Sequence, residues 1–120
     1  MRWNMAIEYT VLNYLNDALS EHNINAYLEE PYNPEDSYVL VEKTGSSENN
    51  RINLATFAIQ SYGKFLQDAI DLNELVKEIM DAFPKSERYF VFSCTLNSDY
   101  NFTDTETQRY RYQAVFEISF

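Results

Sequence analysis

Two side chains of this sequence could carry nucleophilic or acid–base chemistry, His22 and Cys94, and each is the only residue of its type. Catalysis of this kind needs a base oriented toward an activated nucleophile. His22 follows the end of a helical pattern, where an imidazolium interacts favourably with the helix dipole, and its neighbours suggest no Ser, Cys or Asp partner. Cys94 lies inside the apolar run Tyr89–Leu96, where a thiol acts as a small hydrophobic side chain. The sequence therefore predicts no catalytic residue.

Oxygen-bearing side chains are spaced two apart in the stretch Asp99–Thr105, which is the spacing of a calcium-binding loop. The central glycine of such a loop is missing, and Tyr110 stands where the bidentate carboxylate belongs. The sequence also lacks a glycine-rich phosphate loop, and paired carboxylates such as Glu29 and Glu30 carry little information in a chain this acidic. We therefore predict no metal, no cofactor and no enzymatic activity.

The charge of the chain argues against tight binding of nucleic acid. Nineteen Asp and Glu residues against nine Lys and Arg give a formal net charge of −10. A grip on a phosphate backbone needs a basic surface, whereas an acidic surface can line a passage through which a polyanion moves without sticking. A single cysteine fits a reducing compartment. The segment Met1–Leu15 mixes polar with apolar residues, so we predict neither a signal peptide nor a membrane span.

The spacing of apolar residues predicts the elements that position these side chains. Two stretches have helical periodicity, Ala6–Glu21 and Gly63–Phe83, and Pro84 ends the second. Runs rich in β-forming residues predict extended segments at Asn25–Leu28, Ser37–Lys43, Arg51–Tyr62, Tyr89–Leu96 and Gln108–Phe120. The last of these alternates strictly and should have one polar face. The pattern of the third shifts near Ala55, where we expect a β-bulge.

Polar stretches separate the extended segments. Glu29–Asp36 contains two prolines and should form a loop, whereas Thr44–Asn50 is a cluster of turn residues that predicts a long, mobile hairpin tip. Asn97–Gln108 predicts a second tip. The order of helix, three or four strands, helix and two strands lacks a repeated βαβ unit. We therefore predict one α+β domain over residues 1–120, an antiparallel sheet of four to five strands with two helices packed on one face.

Several segments, taken in their order and spacing, resemble the tail terminator and tail completion proteins of long-tailed bacteriophages and of prophages of Gram-positive bacteria. The segments are Val41-Glu-Lys-Thr-Gly45, Ala58-Ile-Gln-Ser-Tyr-Gly-Lys64, Leu72-Asn-Glu-Leu-Val-Lys77, Leu96-Asn-Ser-Asp-Tyr-Asn-Phe-Thr-Asp104 and Tyr110-Arg-Tyr-Gln-Ala-Val-Phe116. The likeness runs from about Tyr38 to the C-terminus. Phe65 departs from it, because a small polar residue is expected at that position.

The resemblance implies a small subunit that closes into a ring, commonly a hexamer, which caps the finished tail tube and offers a docking face to the head connector. The implied partners are copies of the same chain, the major tail tube protein and the head–tail connector protein. The implied location is the host cytoplasm during assembly and then the neck or tail of the virion. Other open alternatives are a different neck component, such as a head completion protein, a monomeric soluble binding or inhibitor domain, and an enzyme whose site is built from carboxylates alone.

A ring in which each subunit contacts the next head to tail needs two different, complementary patches on one subunit. Ten tyrosines and eight phenylalanines suit such interfaces, although aromatic residues also fit an ordinary sheet. We place the patches on the two hairpin tips and the last strand. The candidate assembly residues are Thr44, Gly45, Ser46, Ser47, Glu48, Asn49, Asn50, Asp99, Tyr100, Asn101, Phe102, Arg109 and Arg111.

Arg109 and Arg111 carry the most specific of these hypotheses. A guanidinium group binds a carboxylate through two hydrogen bonds, and arginine is enriched at interfaces. We therefore expect at least one of the two arginines to reach a carboxylate of the adjacent subunit. Replacement of either one by Glu should then weaken ring formation and leave the thermal midpoint within a few degrees of the parent.

Overall fold

The computed structural model describes residues 5–120, which form two α-helices and five β-strands. The elements are α1 (Ile7–Leu19), β1 (Ala26–Tyr27), β2 (Tyr38–Asn49), β3 (Ile52–Gly63), α2 (Leu66–Asp81), β4 (Ser93–Asn101) and β5 (Tyr110–Ser119). Residues 1–4, which begin the segment where the sequence predicts no signal peptide, lie outside the described residues. Within residues 5–120, no helix is both long enough and apolar enough to span a membrane.

The predicted α+β class is confirmed, with one small difference in the sheet. The five strands lie in the order β1-β2-β3-β5-β4, and every neighbouring pair is antiparallel except β1 and β2. The two-residue strand β1 runs parallel to the start of β2, with Ala26 opposite Val39. The sheet is therefore mixed, although its four long strands are antiparallel as predicted.

Both helices pack on one face of the sheet, as predicted. In α1 the buried residues recur every fourth position, and in α2 they recur at helical spacing, so each helix turns one apolar stripe inward. The stripes meet the apolar residues of alternating positions on β2, β3 and β5 in a single cluster. Tyr14 joins the two helices, because its ring stacks on Phe83 at a centroid distance of 4.1 Å and its hydroxyl donates to the carbonyl of Ile79.

Gly63 allows the start of α2 to lie against the end of β3. A Cβ atom at this position would lie 2.5 Å from the backbone nitrogen of Ala69 and 2.7 Å from Cβ of Asp68. Neither atom belongs to a flexible side-chain end that could move aside. The absence of a side chain at Gly63 therefore determines how closely α2 approaches the sheet.

The prediction of a long tip at Thr44–Asn50 is wrong. Strand β2 continues to Asn49 and pairs with β3 along its whole length, so the connection between them is the two residues Asn50 and Arg51. Both have positive φ, 51° and 67°, as the central residues of a type I′ hairpin turn do. The predicted bulge exists, but on the other strand: the register shifts between Lys43 and Gly45, which leaves Thr44 as the extra residue.

Strand β4 begins four residues later than predicted and continues further. Residues 89–92 precede the strand, which starts at Ser93 and runs to Asn101. Ser86 explains the late start, because its hydroxyl accepts hydrogen bonds from the backbone nitrogens of Arg88 and Tyr89 and so turns the chain. The hydroxyl of Tyr89 then donates to Asp17 of α1 at 2.6 Å, which directs this residue toward the helices.

Candidate functional site

The two potentially reactive side chains, His22 and Cys94, lie in different elements and differ in exposure. His22 is exposed in the short 3-10 turn Ser20–His22 that follows α1. Cys94 lies near the start of β4 and packs against the core. Burial, and to a lesser extent the carboxylate of Asp81, raises the pKa of the Cys94 thiol to about 12. A thiol with this pKa is almost entirely protonated near neutral pH, so it is a poor nucleophile.

The stretch with calcium-loop spacing does not form a loop that gathers its oxygens. Asp99 lies on β4 and accepts hydrogen bonds from Asn73 at 2.8 Å and from Lys77 at 3.1 Å, both on α2. Asn101 accepts instead from the backbone nitrogen of Thr103 at 2.9 Å. Across residues 5–120, no group of three or more His, Cys, Asp or Glu side chains is arranged to hold a metal ion.

Arg109 and Arg111 belong to an aromatic layer on the face of the sheet opposite the helices. The rings of Tyr38 and Tyr62 stack with centroids 4.4 Å apart. The Arg109 guanidinium lies 5.6 Å from the first ring centroid and 4.9 Å from the second. It also forms an ion pair with Glu30 and donates to the hydroxyl of Tyr38. Arg109 therefore has a carboxylate partner within its own chain, which the hypothesis of an intersubunit pair did not include.

Arg111 is held by neighbours of the same layer. Its guanidinium lies 4.4 Å from the ring centroid of Phe102, and its Nε donates to the carbonyl oxygen of Phe102 at 2.6 Å. Its Nη1 donates to the hydroxyl of Tyr62 at 2.9 Å. Arg111 thus ties β5 to the segment that follows β4. The intersubunit role proposed for it from the sequence stays a prediction.

The predicted polar face of β5 is partly covered by this layer. Gln113 is only 8% exposed, although it lies on the face without helices. It accepts a hydrogen bond from Gln60 of β3 and donates to the hydroxyl of Tyr100 of β4. Gln60 in turn accepts from Tyr62. Hydrogen bonding across three strands and the cover of large aromatic rings make burial of these amides possible without a second layer of helices.

The other predicted assembly residues lie in two strands. Thr44–Asn49 form the exposed distal half of β2, and Asn50 lies in the turn. Asp99–Asn101 end β4, and Phe102 follows directly, with its ring edge to face against Tyr100. The two groups lie toward opposite edges of the sheet and at opposite ends of its strands. The structure therefore separates these residues into two patches.

Strand β4 forms one edge of the sheet, and its outer side pairs with no strand among the described residues. Exposed edges are usually protected by Lys, Pro or inward-pointing charges. The only charged residue of β4 is Asp99, which forms an ion pair with Lys77 of α2. A bulge between Leu96 and Ser98 and the inward-pointing carboxylate of Asp99 are the protective features that the strand has. Leu96 and Tyr100 are exposed and lie on opposite faces of it.

Sequence reasoning missed a cleft between α2 and β4, which we call the α2–β4 cleft. Its volume is about 300 Å³, and it is lined by Glu74, Lys77, Glu78, Asp81, Cys94, Leu96 and Phe116. The floor from β4 and β5 is apolar, and the rim from α2 is mainly acidic. The carboxylates of Glu74 and Asp99 hold the pKa of Lys77 above its usual value. The acidic positions recur on one face of α2, but only the fold shows that β4 lies beside that face.

Several large apolar side chains are exposed outside this cleft. Phe90 and Phe92 are 74% and 59% exposed and contact each other edge to face. Phe65 is 62% exposed at the residue before α2, with the Lys64 ammonium 5.8 Å from its ring centroid. Exposed aromatic side chains that cluster near an open strand edge are typical of surfaces that bind another protein.

No model of a known protein family matches this chain, and no curated protein is similar enough to count as a relative.

Proposed function

We propose that this protein is a non-enzymatic structural subunit that assembles into a ring, in the manner of phage tail terminator and tail completion proteins. The observation that carries the proposal is the open edge of β4 with exposed Leu96 and Tyr100 on its two faces. A strand edge offers backbone donors and acceptors that a second chain can pair with. The segment resemblance supplies the class of assembly, a ring that caps a tail tube and meets the head connector.

The positions of the exposed residues favour contacts of two different kinds on one subunit. One end of the sheet carries Ile52, Phe90 and Phe92, and the opposite end carries Phe65 and Phe102. Contacts between unlike patches repeat from subunit to subunit and give a closed ring when the rotation closes. The proposed partners are therefore copies of this chain first, and then the major tail tube protein and the connector protein.

The net charge of −10 makes ring formation dependent on salt. Like charges on neighbouring subunits repel one another, and salt screens this repulsion over a Debye length of about 10 Å at 0.1 M. We expect the protein to be monomeric or weakly associated at low salt and low concentration, and to form rings at higher concentration, at higher salt or on a tail tube. Sedimentation velocity over a series of protein and salt concentrations measures this. A tight ring already at nanomolar concentration and low salt would contradict the mechanism.

The decisive experiment is electron microscopy of tails assembled with and without this protein. With the protein, tails should have uniform length and a ring at the end that meets the head; without it, tube ends should be uncapped and irregular in length. Unchanged tails in both preparations would refute the terminator role. A ring at the head vertex instead of the tail end would identify another neck component.

The α2–β4 cleft supports a second candidate, a monomeric binding or inhibitor domain. At about 300 Å³ the cleft lies at the lower end of the size of small-molecule sites. The oligomeric state distinguishes the two candidates, because a binding domain should remain monomeric at all salt concentrations and in the presence of tail tubes.

A further inference from the structure

We propose that Lys64 and Phe65 of one subunit dock into the α2–β4 cleft of a second copy of this chain. This inference rests on the proposed ring function, because the contact joins neighbouring subunits of that ring. We call Lys64 and Phe65 the α2 knob. The knob directly precedes the first turn of α2, and its second residue, Phe65, is the position at which the sequence departs from the resemblance to tail terminator proteins.

The side chain of Phe65 contributes little to the stability of its own subunit. The residue before a helix is favourably Ser, Thr, Asp or Asn, because their side chains accept a hydrogen bond from the first helical turn. A phenyl ring has no acceptor. The only capping contact here is made by Asp68, which accepts from the backbone nitrogen of Phe65 at 3.2 Å. With a ring that is 62% exposed, Phe65 neither caps α2 nor fills the core.

The cleft and the knob are complementary in shape and charge. The apolar floor of Cys94, Leu96 and Phe116 can take a phenyl ring, and the acidic rim can take an adjacent cation. Lys77 on the rim is already paired with Glu74 and Asp99, which leaves Glu78 and Asp81 with no cation of residues 5–120 within ion-pair distance. Lys64 likewise has no carboxylate of the described residues within that distance. Charge therefore favours Phe65 over other exposed aromatic residues such as Tyr32, which lies in an acidic loop.

The position of the two patches makes the contact intermolecular. Gly63, the residue directly before the knob, pairs with Tyr110, whereas Leu96 of the cleft pairs with Phe116. Six residues of β5 separate these pairs, or about 20 Å at roughly 3.3 Å per residue. The knob of one chain therefore cannot reach the cleft of the same chain. Repeated head-to-tail contacts bring each neighbour beside the open edge of β4 and close into a ring when the rotation closes.

The first test compares the assembly of four variants with that of the parent by sedimentation velocity, under conditions in which the parent forms rings. Phe65→Ser and Lys64→Glu should weaken association about tenfold or more, as truncation of an aromatic anchor at an interface does. Tyr32→Ser is the matched control, because it removes an exposed aromatic ring that belongs to neither assembly patch. The double variant Lys64→Glu with Glu78→Lys should recover assembly. Circular dichroism melts establish that each variant is folded.

The second test is a disulfide crosslink in the assembled ring. Phe65→Cys and Leu96→Cys are combined in a Cys94→Ser chain, so that only the designed pair can form. Mild oxidation should give a ladder of covalent oligomers that ends at the ring size. The control replaces Phe65→Cys with Tyr32→Cys in the same chain and should give no ladder.

The outcomes separate this inference from the proposed function. If the parent forms rings and Phe65→Ser, Lys64→Glu and the crosslinked pair behave like the control, the knob contact is refuted and ring formation stands. If the parent forms no ring alone or on tail tubes, the ring function is refuted and the knob contact with it. Loss of assembly in the knob variants, recovery in the charge-swapped variant and a specific ladder support the inference.

Discussion

Arg109 should contribute much more to folding than a surface arginine does, so its replacement is the sharpest test of the aromatic layer. Its guanidinium lies over the rings of Tyr38 and Tyr62 and pairs with Glu30, which also accepts a hydrogen bond from the hydroxyl of Tyr38. This differs from the sequence-based expectation that Arg109→Glu leaves the thermal midpoint nearly unchanged.

The magnitude follows from the contacts. Two partly exposed cation–π contacts are worth about 0.5–1 kcal/mol each, and the exposed pair with Glu30 adds about 0–1 kcal/mol. Arg109→Met, which keeps the aliphatic stem, should therefore lower the free energy of unfolding by about 1–2 kcal/mol. Arg109→Glu adds repulsion with Glu30 and should cost about 2–3 kcal/mol. For a chain of 120 residues this corresponds to a fall in Tm of roughly 6–12 °C.

Urea denaturation and thermal melts at about 0.15 M salt measure both variants, where long-range charge effects are screened. Arg51→Glu is the matched control, because it makes the same charge change at an exposed turn. A double-mutant cycle of Arg109→Gln with Glu30→Gln isolates the energy of the ion pair. If Arg109→Glu and Arg109→Met both melt with the control, the arginine is ordinary solvated surface and the stacking argument is wrong.

Three further predictions test other parts of the structure. Gly63→Ala should destabilise the fold by about 1–3 kcal/mol in urea denaturation, because the added methyl overlaps the first turn of α2; a Tm equal to the parent's would show that α2 can shift at no cost. Arg51→Gly should stabilise the protein by about 1 kcal/mol, since glycine relieves the positive φ of the type I′ turn, whereas Ser47→Gly in the adjacent strand should destabilise it. At pH 8, native Cys94 should be alkylated by iodoacetamide roughly a thousandfold more slowly than the thiol in urea, because burial raises its pKa from 9.0 to about 12 and thereby lowers the thiolate fraction. The contribution of this thiol to stability is fully present below the unfolded pKa and is lost as pH rises from the unfolded pKa to the folded pKa. Equal alkylation rates would contradict the burial of the thiol.

The parts of the fold that the sequence predicts well are those in which local pattern and tertiary packing agree. The stripes of α1 and α2 and the alternation of β5 have the period of the structure that they form. The distal half of β2 was missed because residues 44–49 are polar turn-formers with little intrinsic β-preference. They form a strand because Ile52–Thr56 opposite them supply the pairing, and β-propensity depends strongly on such context.

The candidate site was less predictable because it is made by contacts between distant segments. Glu78 and Leu96 have no relation in sequence, and they line one cleft only because β4 lies beside α2. At least one of Arg109 and Arg111 was expected to reach a carboxylate of a neighbouring subunit, but Arg109 pairs with Glu30, which lies in the loop between β1 and β2 of its own chain.

The strand order β1-β2-β3-β5-β4 also has a consequence for how quickly the chain reaches its native state. The hairpins β2–β3 and β4–β5 each form by local closure, whereas the central pairing of β3 with β5 joins residues as distant in sequence as Leu54 and Ser119. Closure over such a separation carries a larger entropic cost and slows folding. We expect the hairpins and helices to form first and the docking of β5 onto β3 to limit the rate. Until that step, the β4–β5 hairpin has two open edges, so refolding at high concentration should compete with aggregation through these strands.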